Sequence, residues 1–175
     1  SGEVIVVDNS SVDDSCTMVK TLFPTVKLIE SPVNLGFSKA NNLALAKAQG
    51  EYILFLNPDT VVSEDCLFKC CQFMDEHSDA GALGVKMLDG SGKILPESKR
   101  GFPTTWVSFC KLTGLNKLFP KSGLFNGYYM GQLDYESDHQ IDILSGAFFF
   151  TRQSIMNKIG LLDEAFFMYG EDIDI

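Results

Sequence analysis

Short apolar runs closed by polar residues, alternating with stretches of helical spacing, organise the first half of the chain. Glu3-Val4-Ile5-Val6-Val7-Asp8 is an apolar run ending in an acid, the pattern of a strand buried on both faces of a parallel sheet. Asn9-Ser10-Ser11 is a turn signal, and 13–23 reads as a helix. Residues 26–29 form a second short strand. Ala40, Leu43, Ala44 and Ala48 recur at helical spacing within 38–49, and Gly50 fits the stop. Residues 52–56 predict a third strand, closed by Asn57-Pro58-Asp59-Thr60.

Ser63 is placed as the N-cap of a helix running to about His77, with Glu64 and Asp65 in its first turn. Strands are expected at 82–88 and 141–151, and helices at 105–113 and 153–159. The pattern from Gly114 to Gln140 is irregular and reads as a long loop. A further element opens at 166–175. This alternation predicts an α/β protein, a three-layer α/β/α sandwich with a mainly parallel sheet. Ligands then bind at the carboxyl ends of the strands. No linker or repeat divides residues 1–175, so a single domain is expected.

Composition narrows the function classes. The chain has 175 residues, 45% of them hydrophobic, which is ample for a buried core. The longest apolar run, 143–150, is far shorter than a membrane span. A net charge of −9 disfavours nucleic acid as a partner. It gives no basic amphipathic patch to point to a membrane surface. The five cysteines lack CxxC spacing and read as reduced thiols, in keeping with a cytoplasmic setting. Arg152 is expected to hold a helix end, and His77 and His139 to be solvated.

Three acidic stretches are candidates for chemistry. Asp8 sits just past a strand, where a carboxylate can accept from a base N–H or a ribose hydroxyl, or simply cap the turn. No GxGxxG precedes it, which argues against a dinucleotide-binding oxidoreductase. Asp59 also projects from a strand end, placed for Mg²⁺ or Mn²⁺ bridging two phosphates, or for an ordinary turn. Glu171 and Asp172 follow Phe166-Phe167-Met168-Tyr169-Gly170, a setting suited to a general base or to an acidic helix start.

The order and spacing of VIVVDNSSVDDS, SPVNLGFSKANNLALAKAQGEYILFLNPDT, DILSGAFFFTR and FFMYGEDID resemble the family 2 glycosyltransferases, especially rhamnosyltransferase-like bacterial members. The resemblance implies the Rossmann-like GT-A fold of nucleotide-diphospho-sugar transferases. It assigns Asp8 and Asn9 to the nucleotide, with Asn34, Gly36 and Asn42 lining its site. The metal motif usually reads DxD; here it is Asn57-Pro58-Asp59, leaving Asp59 as the metal ligand. A family arginine is replaced by Asn41, so Arg100 is the candidate for the donor phosphate, with Asn57 beside the donor. Asp172, with Glu171, is the implied base, and Gly146 lies on the acceptor-side strand.

The implied reaction is inverting transfer of a sugar, rhamnose among the candidates, from a nucleoside-diphosphate sugar to a glycan or lipid-linked acceptor in bacterial surface polysaccharide synthesis. The runner-up is a noncatalytic nucleotide- or carbohydrate-binding module. Compared with the family, the chain is expected to lack an initial strand and helix and a C-terminal acceptor region. Little transfer is therefore expected of this polypeptide alone. Peripheral contact of the full protein with the inner face of the inner membrane stays open. The reading requires the carboxylates of Asp8, Asp59 and Asp172 to face one pocket.

Overall fold

A computed structural model describes residues 2–174. The chain divides into two compact units. The first comprises the chain through Phe55, Val62–Ala82 and the chain from Phe150; the second comprises Leu56–Val61 and Leu83–Phe149.

The first unit opens with a β-α-β arrangement. Strand β1 (Ile5–Asp8) pairs in parallel with β2 (Lys27–Glu30), in register Ile5 with Lys27 through Asp8 with Glu30. Helix α1 (Ser15–Leu22) connects them and packs on β2, while α2 (Phe37–Leu45) packs on β1. β1 is only half-buried along its length, against the expectation of burial on both faces. The reason is pairing: among the described residues β2 is its one ladder partner.

Strands β3 (Tyr52–Leu56), β4 (Ala82–Leu83) and β5 (Phe148–Arg152) make a second sheet, ordered β3-β5-β4. Within the first unit, Phe55, Phe150, Met74, Met156 and Leu162 are buried, and the Tyr52 and Phe150 rings stack with centroids 5.3 Å apart. Burying one such side chain is worth about 1.5–3 kcal/mol. Helix α3 (Cys66–Glu76) starts later than expected. Its N-cap is Asp65, and the Ser63 hydroxyl donates to the Asp65 carboxylate. Arg152 does hold its end: the guanidinium donates to the carbonyls of Met74, Ala80 and His77. Helix α6 (Gln153–Ile159) follows, then α7 (Glu171–Asp174); Ile175, the end of the last expected element, lies outside the described residues.

Two expected strands are shorter than their apolar runs. The run 82–88 is ladder-paired only at Ala82–Leu83. Gly84 approaches Leu144 so closely that a Cβ would lie 3.1 Å from Leu144 Cδ2, and Leu88 then bridges Ile94 in antiparallel sense. The run 141–151 is broken at Ser145, whose carbonyl accepts from Phe148 N at 3.2 Å. That turn delays β5 to Phe148.

In the second unit α4 spans Thr105–Thr113 as expected, because Thr104 caps it through Val107 N and Gly114 ends it at φ +78°. The irregular stretch beyond contains α5 (Leu115–Leu118) and a 3₁₀ turn at Gly127–Tyr129. Lys99 anchors its far end. The buried ammonium donates to Met130 O, Leu133 O and Asp134 O and lies 4.0 Å from the Tyr135 ring centre. Burial pushes its pKa down. His139 pairs with Asp134 at 3.4 Å, while His77 is exposed and stacks on Phe73.

Candidate functional site

Asp8 ends β1 half-buried, and its carboxylate accepts from Ser11 N at 3.1 Å. Hydrogen bonds from Ser11 hold it below the usual carboxylate range, against the opposing effect of burial, and the Cys16 thiol adds to them. The same neighbourhood pushes the Cys16 thiol up to about 11, chiefly by desolvation and then by the Asp8 carboxylate. All five cysteines are free thiols, as expected. Asp8 is therefore an ionised acceptor that also fastens its own turn.

Asn9 ties that turn to the Asn34-Leu35-Gly36 loop. Its amide nitrogen donates to Asn34 Oδ1 at 2.9 Å and Gly36 O at 3.2 Å, and its oxygen accepts from Leu35 N at 2.7 Å. Asn34 Oδ1 also accepts from Gly36 N at 2.9 Å. Gly36 begins α2 at φ +81°. The next amide, Phe37 N, donates to Phe167 O at 2.7 Å, which carries the loop onto the segment leading to Glu171 and Asp172.

Asn42 is 5% exposed, and its amide is engaged at both ends. Nδ2 donates to Leu162 O at 2.9 Å and Glu164 Oε1 at 3.2 Å, while Leu162 N donates back to Oδ1 at 3.0 Å. The geometry makes Asn42 a strut between α2 and the approach to the acidic pair. Glu171 is buried, and among the described residues its Oε2 has no hydrogen-bond partner; Asp172 is half-buried. An unpartnered buried carboxylate oxygen is an open acceptor for a hydroxyl donor.

Backbone strain marks the same two loops. Among described non-glycine residues, positive φ occurs at Ser10 (71°), Met130 (43°) and Tyr169 (69°). Ser10 follows Asp8-Asn9, and Tyr169 precedes Gly170-Glu171. Such conformations cost of order 1–3 kcal/mol and gather where loops are held for function. Neither signal is visible in sequence, since serine and tyrosine rarely adopt that region.

The second unit gathers the remaining candidates. Asn57 N donates to Ala147 O at 3.1 Å, and Thr60 N to Asn57 O at 3.1 Å, so the Asn57-Pro58-Asp59-Thr60 turn lies against the Ser145-Gly146-Ala147 turn. Asp59 is exposed at its tip and Gly146 is half-buried. Arg100 bridges Ile143 through its backbone and donates a guanidinium N–H to Leu144 O at 2.6 Å. Thus Arg100, Asn57, Asp59 and Gly146 border one stretch of chain, 143–147. Among the described residues no three His, Cys, Asp or Glu side chains stand together as a metal cage. Of these four residues Asp59 is the one carboxylate, a hard oxygen donor that fits an ion whose other ligands are water and phosphate oxygens. A concavity of about 430 Å³ beside Gln49, Arg152 and Asn157 contains none of these candidates.

The sequence model of "Glycosyl transferase family 2" matches residues 2–160, ending before Glu171 and Asp172. An N-acetylglucosaminyl-diphospho-decaprenol L-rhamnosyltransferase of Mycobacterium tuberculosis is 27% identical over 98% of this chain and 59% of its own length. Rhamnosyltransferase WbbL of Escherichia coli K12 is 30% identical over 80% of this chain and 52% of its own. The chain thus spans little more than half the length of these relatives. Staphylococcus aureus TarS superposes over 98% of this chain and 26% of its own with a TM-score of 0.64 at 23% identity. The mannosyltransferase PcManGT of Pyrobaculum calidifontis, in complex with GDP-Man and Mn²⁺, gives 0.60 at 18% identity over 93% of this chain and 38% of its own. These likenesses bear out the α/β GT-A fold. With the family model covering most of its length, the chain belongs to glycosyl transferase family 2.

Proposed function

We propose that this chain is the donor-binding part of an inverting transferase that moves a sugar, rhamnose first among candidates, from a nucleoside diphosphate to a glycan or lipid-linked acceptor. The observation that carries the reading is the hydrogen-bonded continuity from Asp8 and Asn9, through Asn34 and Gly36, to the segment before Glu171 and Asp172. Both relatives are named rhamnosyltransferases, which supports the sugar, and the mycobacterial one is named for a diphospho-decaprenol acceptor, which supports a lipid-linked acceptor.

Asp8, held ionised, accepts from the nucleotide base, and Asn9, Asn34 and Gly36 form the wall beside it. Asn42 keeps α2 and the acidic segment in place. In the second unit, the family resemblance assigns Asn57 and Arg100 to the donor phosphates and sugar. A Mg²⁺ or Mn²⁺ ion bound at Asp59 would neutralise charge on the departing diphosphate. Asp172, supported by Glu171, takes the proton of an acceptor hydroxyl, whose oxygen attacks the anomeric carbon opposite the leaving group. The same resemblance assigns Gly146, in the second unit, to the acceptor side. The setting this implies is the cytoplasm, where nucleotide sugars are the donors.

The test is a screen of UDP-, dTDP- and GDP-sugars against the full-length protein, with and without Mn²⁺. One donor is expected to bind with metal, and Asp59→Ala to abolish the metal's contribution. Metal-independent glycan binding with no donor bound would replace this reading with the noncatalytic module.

A further inference from the structure

In the second unit, helix α4 turns the wrong face outward for a soluble surface. Its inner side is already filled: Cys110 is fully buried, and Val107 lies against Gly127, where a Cβ would come within 3.2 Å of Val107 Cγ2. Its outer side carries Trp106, Phe109 and Leu112, with Leu112 88% exposed. Past Gly114, Leu118, Phe119 and Leu124 continue the apolar surface, with Leu118 69% exposed. Ring contacts make this one surface. Trp106 stacks on Phe109 at 5.7 Å and tilts toward Phe125 at 6.3 Å, and Phe119 meets Phe125 at 5.0 Å. The indole N–H donates to Leu124 O at 3.0 Å, so the ring is oriented while partly open to solvent.

The charged side chains of this segment have one sign. From Gly101 to Leu133 the chain carries Lys111, Lys117 and Lys121 and no Asp or Glu, within a protein of net charge −9. All three lysines are exposed, with Lys111 Nζ 4.2 Å from the Tyr128 ring centre. Of the acids that follow, Asp134 pairs with His139 and Glu136 with Lys86, while Asp142 accepts from Phe102 N at 3.3 Å. Whole-chain acidity therefore conceals a basic, aromatic and leucine-rich face, correcting the expectation that no such patch exists.

We propose that this α4–α5 face docks on an anionic lipid bilayer. Leucine and aromatic side chains enter the interface, and Lys117 and Lys121 meet lipid phosphates, the pairing that holds amphipathic helices in the plane of a membrane. Charge complementarity selects a bilayer over a purely apolar partner, because exposed lysines framing an apolar patch favour an anionic surface. The proposal is independent of sugar transfer, so either can fail alone.

The 175-residue chain is mixed with phosphatidylcholine vesicles with and without phosphatidylglycerol, followed by sedimentation and by fluorescence of Trp106, its single tryptophan. Phosphatidylglycerol is expected to pull the chain into the pellet and shift Trp106 emission to the blue, with both effects weakened by salt. K117E/K121E is expected to lower that binding at least about ten-fold. L112S/L118S is expected to abolish the blue shift, and thermal melts confirm that both variants fold. Equal binding to neutral and anionic vesicles overturns the proposal, as does binding unaffected by either pair. Self-association in the absence of lipid, dispersed by L112S/L118S, assigns the face to a second copy and also overturns it.

Discussion

A Cβ placed on Gly36 would lie 2.5 Å from the carbonyl oxygen of Phe167 and 2.7 Å from its ring. Position 36 therefore needs glycine twice over, for this approach and for φ +81°. Gly36→Ala is expected to cost about 2–4 kcal/mol. It should also weaken donor binding, because the Asn34 loop and the segment before Glu171 are displaced together. Thermal melts and donor titration on one sample check both; an unchanged melt with normal binding would show that the contact is slack.

Asn42→Ala removes both bonds to the Leu162 backbone and is expected to destabilise by about 2–3 kcal/mol. Asn42→Asp keeps the acceptor for Leu162 N but turns a carboxylate toward Leu162 O and Glu164. At neutral pH it should cost at least as much as alanine. Denaturant unfolding of the two variants decides the order, and a milder effect of aspartate would contradict the strut assignment.

Asp8 gives a pH prediction. Its folded pKa is depressed by the Ser11 hydrogen bonds, so its stabilisation is fully present above the ordinary carboxylate value. It is lost as pH falls through the lower, folded value. Ser11→Ala should raise the Asp8 pKa and move this loss to higher pH, measured by carboxylate NMR titration. Donor binding should decline in the same window, since a protonated Asp8 is a poorer acceptor for a base N–H.

Cys16, pushed up to about 11, should be a sluggish nucleophile. At pH 8 roughly one part in a thousand is thiolate. Alkylation by iodoacetamide is expected to be far slower than for a free cysteine, and Asp8→Asn should quicken it by removing the adjacent charge.

Arg152 donates to the carbonyls of Met74, His77 and Ala80, so Arg152→Ala is expected to fray the end of α3 and cost about 2–3 kcal/mol. Arg152→Lys should recover only part of that, because an ammonium lacks the planar fork. Hydrogen exchange at 73–77 reports the fraying.

What the sequence made legible follows from where local rules decide. Helix α4 matches its expected bounds because Thr104 and Gly114 are local signals that no tertiary contact opposes. Strand β3 likewise ends where Asn57-Pro58 forbids extension. The runs 82–88 and 141–151 misled because apolar periodicity cannot reveal that Gly84 must admit Leu144, or that Ser145 turns the chain. The position of Asp8 and Asn9 at the end of β1 is legible from the apolar run before them. The structural engagement of Asn42 with Leu162 spans 120 positions, and no spacing rule reaches that far. The apolar face with its lysines is invisible to net charge, which averages over both units.

Lys99 acts from a buried position. Its ammonium collects the carbonyls of residues 130, 133 and 134, which a neutral side chain would leave facing a void. The long irregular stretch ahead of it is thus pinned at its far end by a single cation rather than spliced into a ladder. Chemical capping of that amine, by acylation for instance, would loosen backbone many residues from any motif, and the slackening would spread from the knot outward.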